Sequence, residues 1–448
     1  MNSTAPAFSA IVQRIRTHVR PALARIGRWA LVLVVALAAL IGVQHVSRGT
    51  SVRHVQGVGA DGTPVAPGEP QFPLSVAMLT GAVLLPARQV EIALNGDGTF
   101  ARLWDDLRSA RQSITLQLYF GQDGRVADTL RQVLAERAAA GVKVFLLYDA
   151  FGFQGMPSDH RGALRAAGVV VVPFRPLRLS TLHMAQNRSH VRGIVVDGRI
   201  GWTGGFSTDD RWLGDGRTNN SWRETNVRFE GPAVRQLQAA FAAAWAEATG
   251  TLFSGRATVG DSDGDPALAG LLDATPTMGS TAAERFFAMT IAGARRTLYI
   301  TNSYFAPDDN FVGLLAGSAR RGVDVRVLTG GLRTDVRTVR LAGRAQYEPL
   351  MEAGVRIYEW QPTTLHAKTF VADGVWATIG SINFDNRSLT LNDESTLMIL
   401  DENIGQQMNA VFLDDLNHAE KITLLRFGQR PWVQRILERA AIVIQPLL

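Results

Sequence analysis

The sequence contains no cysteine among its 448 residues. This absence excludes a disulfide framework, thiolate metal ligands and a cysteine nucleophile. Lysine is scarce as well, because only three of the 46 basic residues are lysine and all the others are arginine. The formal net charge of +6 favours anionic partners, which are either nucleic acid or acidic lipid.

Acidic residues are missing from residues 1–60, where several arginines precede an unbroken apolar run from Trp29 to Val43. The run is shorter than the roughly 20 apolar residues of a full membrane span. However, the stem of Arg28 can lie along the apolar region while its charge reaches the interface. A signal anchor, a cleaved signal peptide and a transit peptide all fit such a segment.

No small-x-small cleavage site follows the run cleanly, so we expect a transmembrane signal anchor over residues 28–46, after a basic segment at 1–27. Because arginines are more numerous before the run than after it, the positive-inside rule predicts a cytoplasmic N-terminus. The rest of the chain would then lie on the outer side of the membrane.

The rest of the chain consists of two halves with the same sequence pattern, which indicates a duplication. An apolar strand ending in Tyr-Phe occurs at 113–120 and again at 298–305, and a helical stretch and a second apolar strand follow each copy. Alternating strands and helices predict α/β units on a largely parallel sheet. We predict a linker at 47–75, a first domain at 76–254, a connecting segment at 255–280 and a second domain at 281–448.

A further shared unit carries the chemistry. Each half has a histidine, a cation two residues later and an aspartate seven residues after the histidine. Side chains at i and i+2 of a strand leave the same face, so each histidine is paired with a positive charge. Phosphoryl transfer needs this pairing, because negative charge must be held while an oxygen leaves. The residues are His190, Arg192 and Asp197 in the first half, and His366, Lys368 and Asp373 in the second.

The residues around these units have separate expected roles. Asp197 and Asp373 each precede a glycine in a hairpin turn, at odd spacing from the histidine, which favours a structural role. Ser381 and Asn383 follow the second strand, where a hydroxyl and an amide can donate hydrogen bonds to a phosphate. An ordinary turn is the alternative interpretation. The corresponding phosphate-binding position in the first half is the pair Gly204 and Gly205.

The doubled His-x-Lys-x4-Asp pattern resembles the HKD motif of the phospholipase D superfamily. Further stretches resemble bacterial cardiolipin synthases, among them VVDGRIGWTGGFS, WRET at 222–225 and GSINFDNRSLTLNDE, and the resemblance runs from about residue 85 to the C-terminus. It implies two tandem phospholipase D-like α/β domains with pseudo-twofold symmetry, preceded by the transmembrane helix. Both motifs would meet at one site between the halves.

The resemblance also implies a mechanism without metal or cofactor. One histidine attacks phosphorus to give a phosphohistidine, and the other protonates the leaving alkoxide. The usual order in the family makes His190 the nucleophile and His366 the general acid. Glu394 matches the family's glutamate that orients a motif histidine, and Glu224 is the corresponding residue of the other half.

The implied activity is a phosphatidyltransferase that joins two phosphatidylglycerols into cardiolipin and releases glycerol, at the bacterial inner membrane. Its expected partners are phospholipids and the membrane, not nucleic acid. A phospholipase D-type hydrolase or nuclease is one alternative. A non-catalytic lipid-binding relative is another, because Arg192 stands where the family usually has lysine.

Overall fold

The computed structural model describes residues 25–36, 39, 51–57, 62–178, 185–253, 267–277 and 279–448. Residues 25–36 are helical and exposed. Much of the predicted anchor at 28–46 lies outside the described residues. Within them, we find no helix that combines the length and the apolar character needed to cross a bilayer.

After the helical residues 25–36, the described part of the first half of the chain contains five α-helices and seven strands. The helices are α1 (Phe72–Thr80), α2 (Asn95–Ser109), α3 (Arg125–Ala139), α4 (Ser158–Ala166) and α5 (Val234–Thr249). The strands are β1 (Leu85–Leu94), β2 (Ser113–Leu118), β3 (Lys143–Asp149), β4 (Val170–Phe174), β5 (Gly193–Val196), β6 (Ile200–Gly204) and β7 (Thr225–Glu230).

The second half contributes eight strands and ends in a helical C-terminal region. The strands are β8 (Ala267–Ala274), β9 (Thr297–Asn302), β10 (Asp324–Gly330), β11 (Arg356–Trp360), β12 (Lys368–Ala372), β13 (Trp376–Gly380), β14 (Glu394–Leu400) and β15 (Ala419–Ile422). The helices are α6 (Ala282–Gly293), α7 (Asp309–Arg320), α8 (Arg337–Ala345), α9 (Tyr347–Glu352), α10 (Asn386–Thr390), α11 (Glu402–Leu416), α12 (Leu424–Gly428) and α13 (Trp432–Ile444).

All these strands form one sheet in the order β15-β11-β10-β9-β12-β13-β14-β8-β1-β7-β6-β5-β2-β3-β4. Read outward from the central pair β8 and β1, both halves have the same strand order, and β15 is added at one edge. Among these described strands, pairing is parallel only within β2-β3-β4 and β9-β10-β11. The prediction of a largely parallel sheet was therefore wrong, because the hairpins β5-β6 and β12-β13 make the middle of each half antiparallel.

Two stretches predicted to be connections contain regular structure instead. Residues 267–274 of the expected connecting segment form β8, which pairs with β14 and β1 at the centre of the sheet. Ala269, Leu271 and Leu272 are buried there, although the glycine- and aspartate-rich composition before them is typical of a loop. Helix α1 begins inside the expected linker at Phe72, whose ring packs edge-on against Trp376.

The second half buries both faces of its sheet, and alternate residues of β12 separate the two cores. Phe370 and Ala372 belong to a cluster that also contains Phe72 of α1 and Phe427 of α12. Val371 belongs to a different cluster, on the opposite face, which contains Phe412 of α11. Helices α11 and α12 therefore lie on opposite sides of the sheet.

Candidate active site

The two motif histidines lie just before strands β5 and β12, and each is bound to the other half of the chain. The backbone N–H of His190 donates to the carbonyl of Asp393 at 2.8 Å. The N–H of His366 donates to the carbonyl of Arg223, also at 2.8 Å. Each histidine is thus held beside the segment that starts β14 or β7 of the opposite half.

This exchange places one buried glutamate against each histidine. The Nδ1 atom of His190 lies 2.8 Å from Oε2 of Glu394, and that of His366 lies 2.5 Å from Oε2 of Glu224. Both glutamates are fully buried. A carboxylate at Nδ1 fixes the tautomer that carries a proton there, which leaves Nε2 available for chemistry.

The two cations are buried beside the histidines that precede them. Arg192 donates from Nη1 to the carbonyl of His190 at 2.9 Å, and Lys368 donates from Nζ to the carbonyl of His366. The Nε atom of Arg192 is buried and has no hydrogen-bond partner among the described residues. A buried donor of this kind is suited to receive an anionic oxygen, because an unpaired polar group is costly to bury.

The electrostatics of the site favour uncharged imidazoles. Burial lowers the pKa of His190 and His366 well below the ordinary value, and the charges of Arg192 and Lys368 lower both further. Burial also lowers the pKa of Lys368 to about 7 and raises the pKa of Glu394 to about 7. A neutral imidazole with an unprotonated Nε2 is the form that can attack phosphorus.

Both histidines line a single cavity of about 430 Å³. Residues of both halves line it, so neither half alone forms the site. Arg192 and Asn383 reach this cavity too. Its aromatic wall is formed by Tyr119, Phe120, Trp212, Trp222 and Tyr304.

Ser381 and Gly205 hold equivalent positions but meet different surroundings. The Ser381 hydroxyl is fully buried and donates to Oε2 of Glu394 at 2.5 Å, so it supports the glutamate rather than lining the cavity. At Gly205 a Cβ atom would lie 2.4 Å from the carboxylate of Glu224. Where Glu394 accepts a hydrogen bond from Ser381, Glu224 accepts one from the indole Nε1 of Trp212, at 3.2 Å. The glycine therefore makes room for the glutamate that holds His366.

We expect Gly205→Ser to displace Glu224 and to lower both stability and turnover. Overpacking of this kind costs about 1–3 kcal/mol, and a misplaced Glu224 should lower kcat more than it raises KM. Thermal unfolding and steady-state kinetics would measure the two effects. Gly313→Ser is the matched control, since a Cβ there meets nothing within 4 Å. Equal behaviour of the two variants would contradict this role of Gly205.

The remaining predicted residues lie around this centre. Asn383 lines the cavity, and its Oδ1 accepts from the hydroxyl of Ser303 at 3.0 Å. Gly204 ends β6 with a φ of 147° and lies against Asn226. Asp197 accepts three backbone N–H groups of residues 111–113, and Asp373 accepts three of residues 295–297. Both aspartates thus tie a hairpin turn to the start of a neighbouring strand.

Several residues of the cavity were not predicted. Tyr119 packs edge-on against His190, with ring centroids 4.7 Å apart, and Trp222 packs against His366 at 5.0 Å. Tyr304 donates from its hydroxyl to Asp335 at 2.6 Å. The repeated Tyr-Phe pair was a signal for Tyr119 and Tyr304, whereas nothing in the spacing indicates the tryptophans.

Among the described residues, no group of three or more histidines and carboxylates could hold a metal.

Comparison with known proteins agrees with this geometry. Residues 288–416 match the family described as cardiolipin synthase, PLD-like domain. A cardiolipin synthase of Geobacillus thermodenitrificans is 35% identical over 369 residues, which cover 81% of this chain and 73% of that protein. Cardiolipin synthase A of Pseudomonas putida is 34% identical over 366 residues, which cover 81% of this chain and 76% of that protein.

Among solved structures, phosphatidylserine synthase of Haemophilus influenzae Rd KW20 has the same fold. Its TM-score is 0.62 at 14% sequence identity, over 84% of this chain and 99% of that one. A sheet of this order, with both motif histidines lining one cavity, is typical of the phospholipase D superfamily. Within that superfamily the chain belongs to the cardiolipin synthase family and is a phosphatidyltransferase.

Proposed function

We propose that this protein transfers a phosphatidyl group from one phosphatidylglycerol to a second, producing cardiolipin and glycerol through a phosphohistidine. The observation that carries the proposal is the single cavity lined by both histidines, each held by a glutamate of the opposite half. The matching strand order and these reciprocal pairs support two tandem phospholipase D-like halves related by a pseudo-twofold axis.

In the first step, Nε2 of His190 attacks the phosphorus of the donor lipid. The bond between phosphorus and the glycerol oxygen breaks, and His366 delivers a proton to that oxygen so that neutral glycerol leaves. Arg192 and Lys368 hold the charge of the phosphoryl oxygens. An anion between these two cations offsets their effect on the histidines, so it raises the pKa of His366 and favours the protonated acid.

In the second step, a hydroxyl of the acceptor's glycerol attacks the same phosphorus. His366 now takes the proton of that hydroxyl, and the bond between phosphorus and His190 breaks. Both histidines return to their starting forms, and one glycerol is released for each cardiolipin made. The aromatic side chains Trp212 and Trp222 next to His366 restrict water there, which favours an alcohol as acceptor.

The test is product analysis with purified protein and phosphatidylglycerol in detergent micelles. We expect cardiolipin and glycerol in equal amounts, measured by mass spectrometry and an enzymatic glycerol assay. Phosphatidic acid as the main lipid product would show that water is the acceptor and would overturn the transferase proposal.

We also propose that residues 28–46 anchor the protein in the bacterial inner membrane, with the catalytic body on the outer side. The arginine cluster before Trp29 supports this topology. A phosphatase reporter that is active only outside the cytoplasm, fused after Leu448, should be active in intact cells. A fluorescent reporter that requires the cytoplasm, fused at the same position, should be dark. The opposite pattern would reverse the topology and leave the chemistry unchanged.

A further inference from the structure

Helix α13 near the C-terminus has its apolar face turned outward. Trp432 is 72% exposed, whereas Glu438 is 1% exposed. A helix on the surface of a soluble domain normally turns its apolar stripe inward. At 100° per residue, the outward side forms one continuous apolar arc. It consists of Trp432, Val433, Ile436, Leu437, Ala440 and Val443.

The inward face of α13 is held by ion pairs, so this orientation is fixed by specific contacts. Buried Glu438 accepts from Nε of Arg344 at 3.0 Å and from Nε of Arg430 at 2.7 Å. Turning the helix to hide its apolar arc would expose these pairs and bury tryptophan in their place. A buried carboxylate that lost both arginines would be strongly destabilising.

A second exposed apolar side chain lies on α12, the helix that precedes α13, and arginines accompany both. Leu425 of α12 is 75% exposed. Arg435 and Arg439 are exposed at the edge of the arc on α13, Arg426 is exposed next to Leu425 on α12, and Glu438 points inward. Arg426 also pairs with Glu420, so part of its charge is offset. Apolar area edged by arginine matches the interface of a bilayer with anionic headgroups.

The same helix leads directly to the active site. Four residues after α13 ends, Leu448 lines the catalytic cavity, and its carbonyl accepts from the backbone of Arg387 at 2.6 Å. Helix α8 packs along α13 and supplies Val339 to the cavity wall. Helix α13 therefore adjoins the wall of the catalytic cavity through α8 and through the residues that follow it.

We propose that the outward face of α13, with Leu425, docks on the surface of an anionic bilayer and holds the catalytic cavity next to it. The arc would enter the boundary between headgroups and acyl chains, and the three arginines would contact lipid phosphates. The inference rests on the phosphatidyltransferase class and is independent of which phospholipid accepts the phosphatidyl group.

The absence of cysteine allows a direct test in the full chain. Ile436→Cys and the control Leu413→Cys would each carry one environment-sensitive fluorophore, with the protein in nanodiscs containing phosphatidylglycerol. Leu413 is 43% exposed on α11, which lies on the other side of the sheet from α12. Acyl-chain spin-labelled lipids should quench the label at position 436 at least threefold more strongly. Equal quenching of the labels at positions 436 and 413 would overturn the proposal. The outward face would then be covered by water, by another copy of the protein or by another segment of the chain.

A second experiment separates docking from chemistry. The double variant Ile436→Glu and Leu437→Glu should lower turnover at least tenfold on bilayer phosphatidylglycerol, and leave turnover within twofold on a monomeric short-chain analogue. Leu413→Glu should change neither. Full activity of the double variant on bilayers would overturn the docking role. If the proposed reaction itself were wrong, the wild-type protein would make no cardiolipin from either substrate, and the quenching result would still stand.

Discussion

Replacing either histidine, by His190→Ala or His366→Ala, should lower turnover by several orders of magnitude, on the order of 10⁴-fold or more. The reason is that each imidazole is half of one reaction centre and is held by a glutamate from the other half of the chain. Turnover of phosphatidylglycerol by purified variants would measure the loss. His54→Ala, at an exposed position outside the cavity, is the control and should match the wild-type protein.

The two variants should differ in the step at which they fail. With a donor whose leaving group departs as a stable anion, such as a p-nitrophenyl phosphodiester, protonation by His366 is not needed. His366→Ala should then release one p-nitrophenolate per enzyme in a burst and retain a phosphoryl group on His190. His190→Ala should show no burst. The reverse result would exchange the two roles, and near-normal turnover by either variant would refute the two-histidine mechanism.

The sequence predicted the motif residues but could not show how the halves exchange partners. Equal spacing of His190 and His366 within repeated units was enough to indicate a shared site. The pairing of His190 with Glu394 and of His366 with Glu224 depends on bridges between segments more than 140 residues apart. Local periodicity carries no information about such long-range contacts.

The same limit explains the errors in the fold. Residues 267–274 have a short apolar sequence after a stretch with loop composition, so a connection was the natural interpretation. They form β8 because strands β14 and β1 both need a partner at the centre of the sheet, and only tertiary structure supplies that context. The position of a site residue after a strand likewise does not show its partner. Ser381 was predicted to bind phosphate because it follows a strand, whereas its hydroxyl donates a hydrogen bond to Glu394.

Arg192 decides whether the first half takes part in catalysis, and substitution there should have a large and selective effect. Arg192→Ala should lower kcat/KM by about a hundred- to a thousandfold, which is roughly 3–4 kcal/mol of transition-state stabilisation. A charge-assisted donor would be lost beside the transferring phosphate. Arg192→Lys should preserve substantial activity, because the charge remains. Arg192→Met is the control for volume, since Arg192 is 1% exposed and truncation to alanine would leave a void.

The pH dependence distinguishes this electrostatic role from a merely structural one. Burial is the largest cause that lowers the pKa of His190, and the positive charge of Arg192 is the second largest. Removing that charge in Arg192→Met should raise this pKa, so the acidic limb of the profile of kcat/KM against pH should move to higher pH. Arg192→Lys should leave the limb near its original position. Wild-type turnover and an unchanged profile in Arg192→Ala, Arg192→Met and Arg192→Lys alike would mean that Arg192 contributes no charge to the reaction, and its proposed role at the transferring phosphate would have to be abandoned.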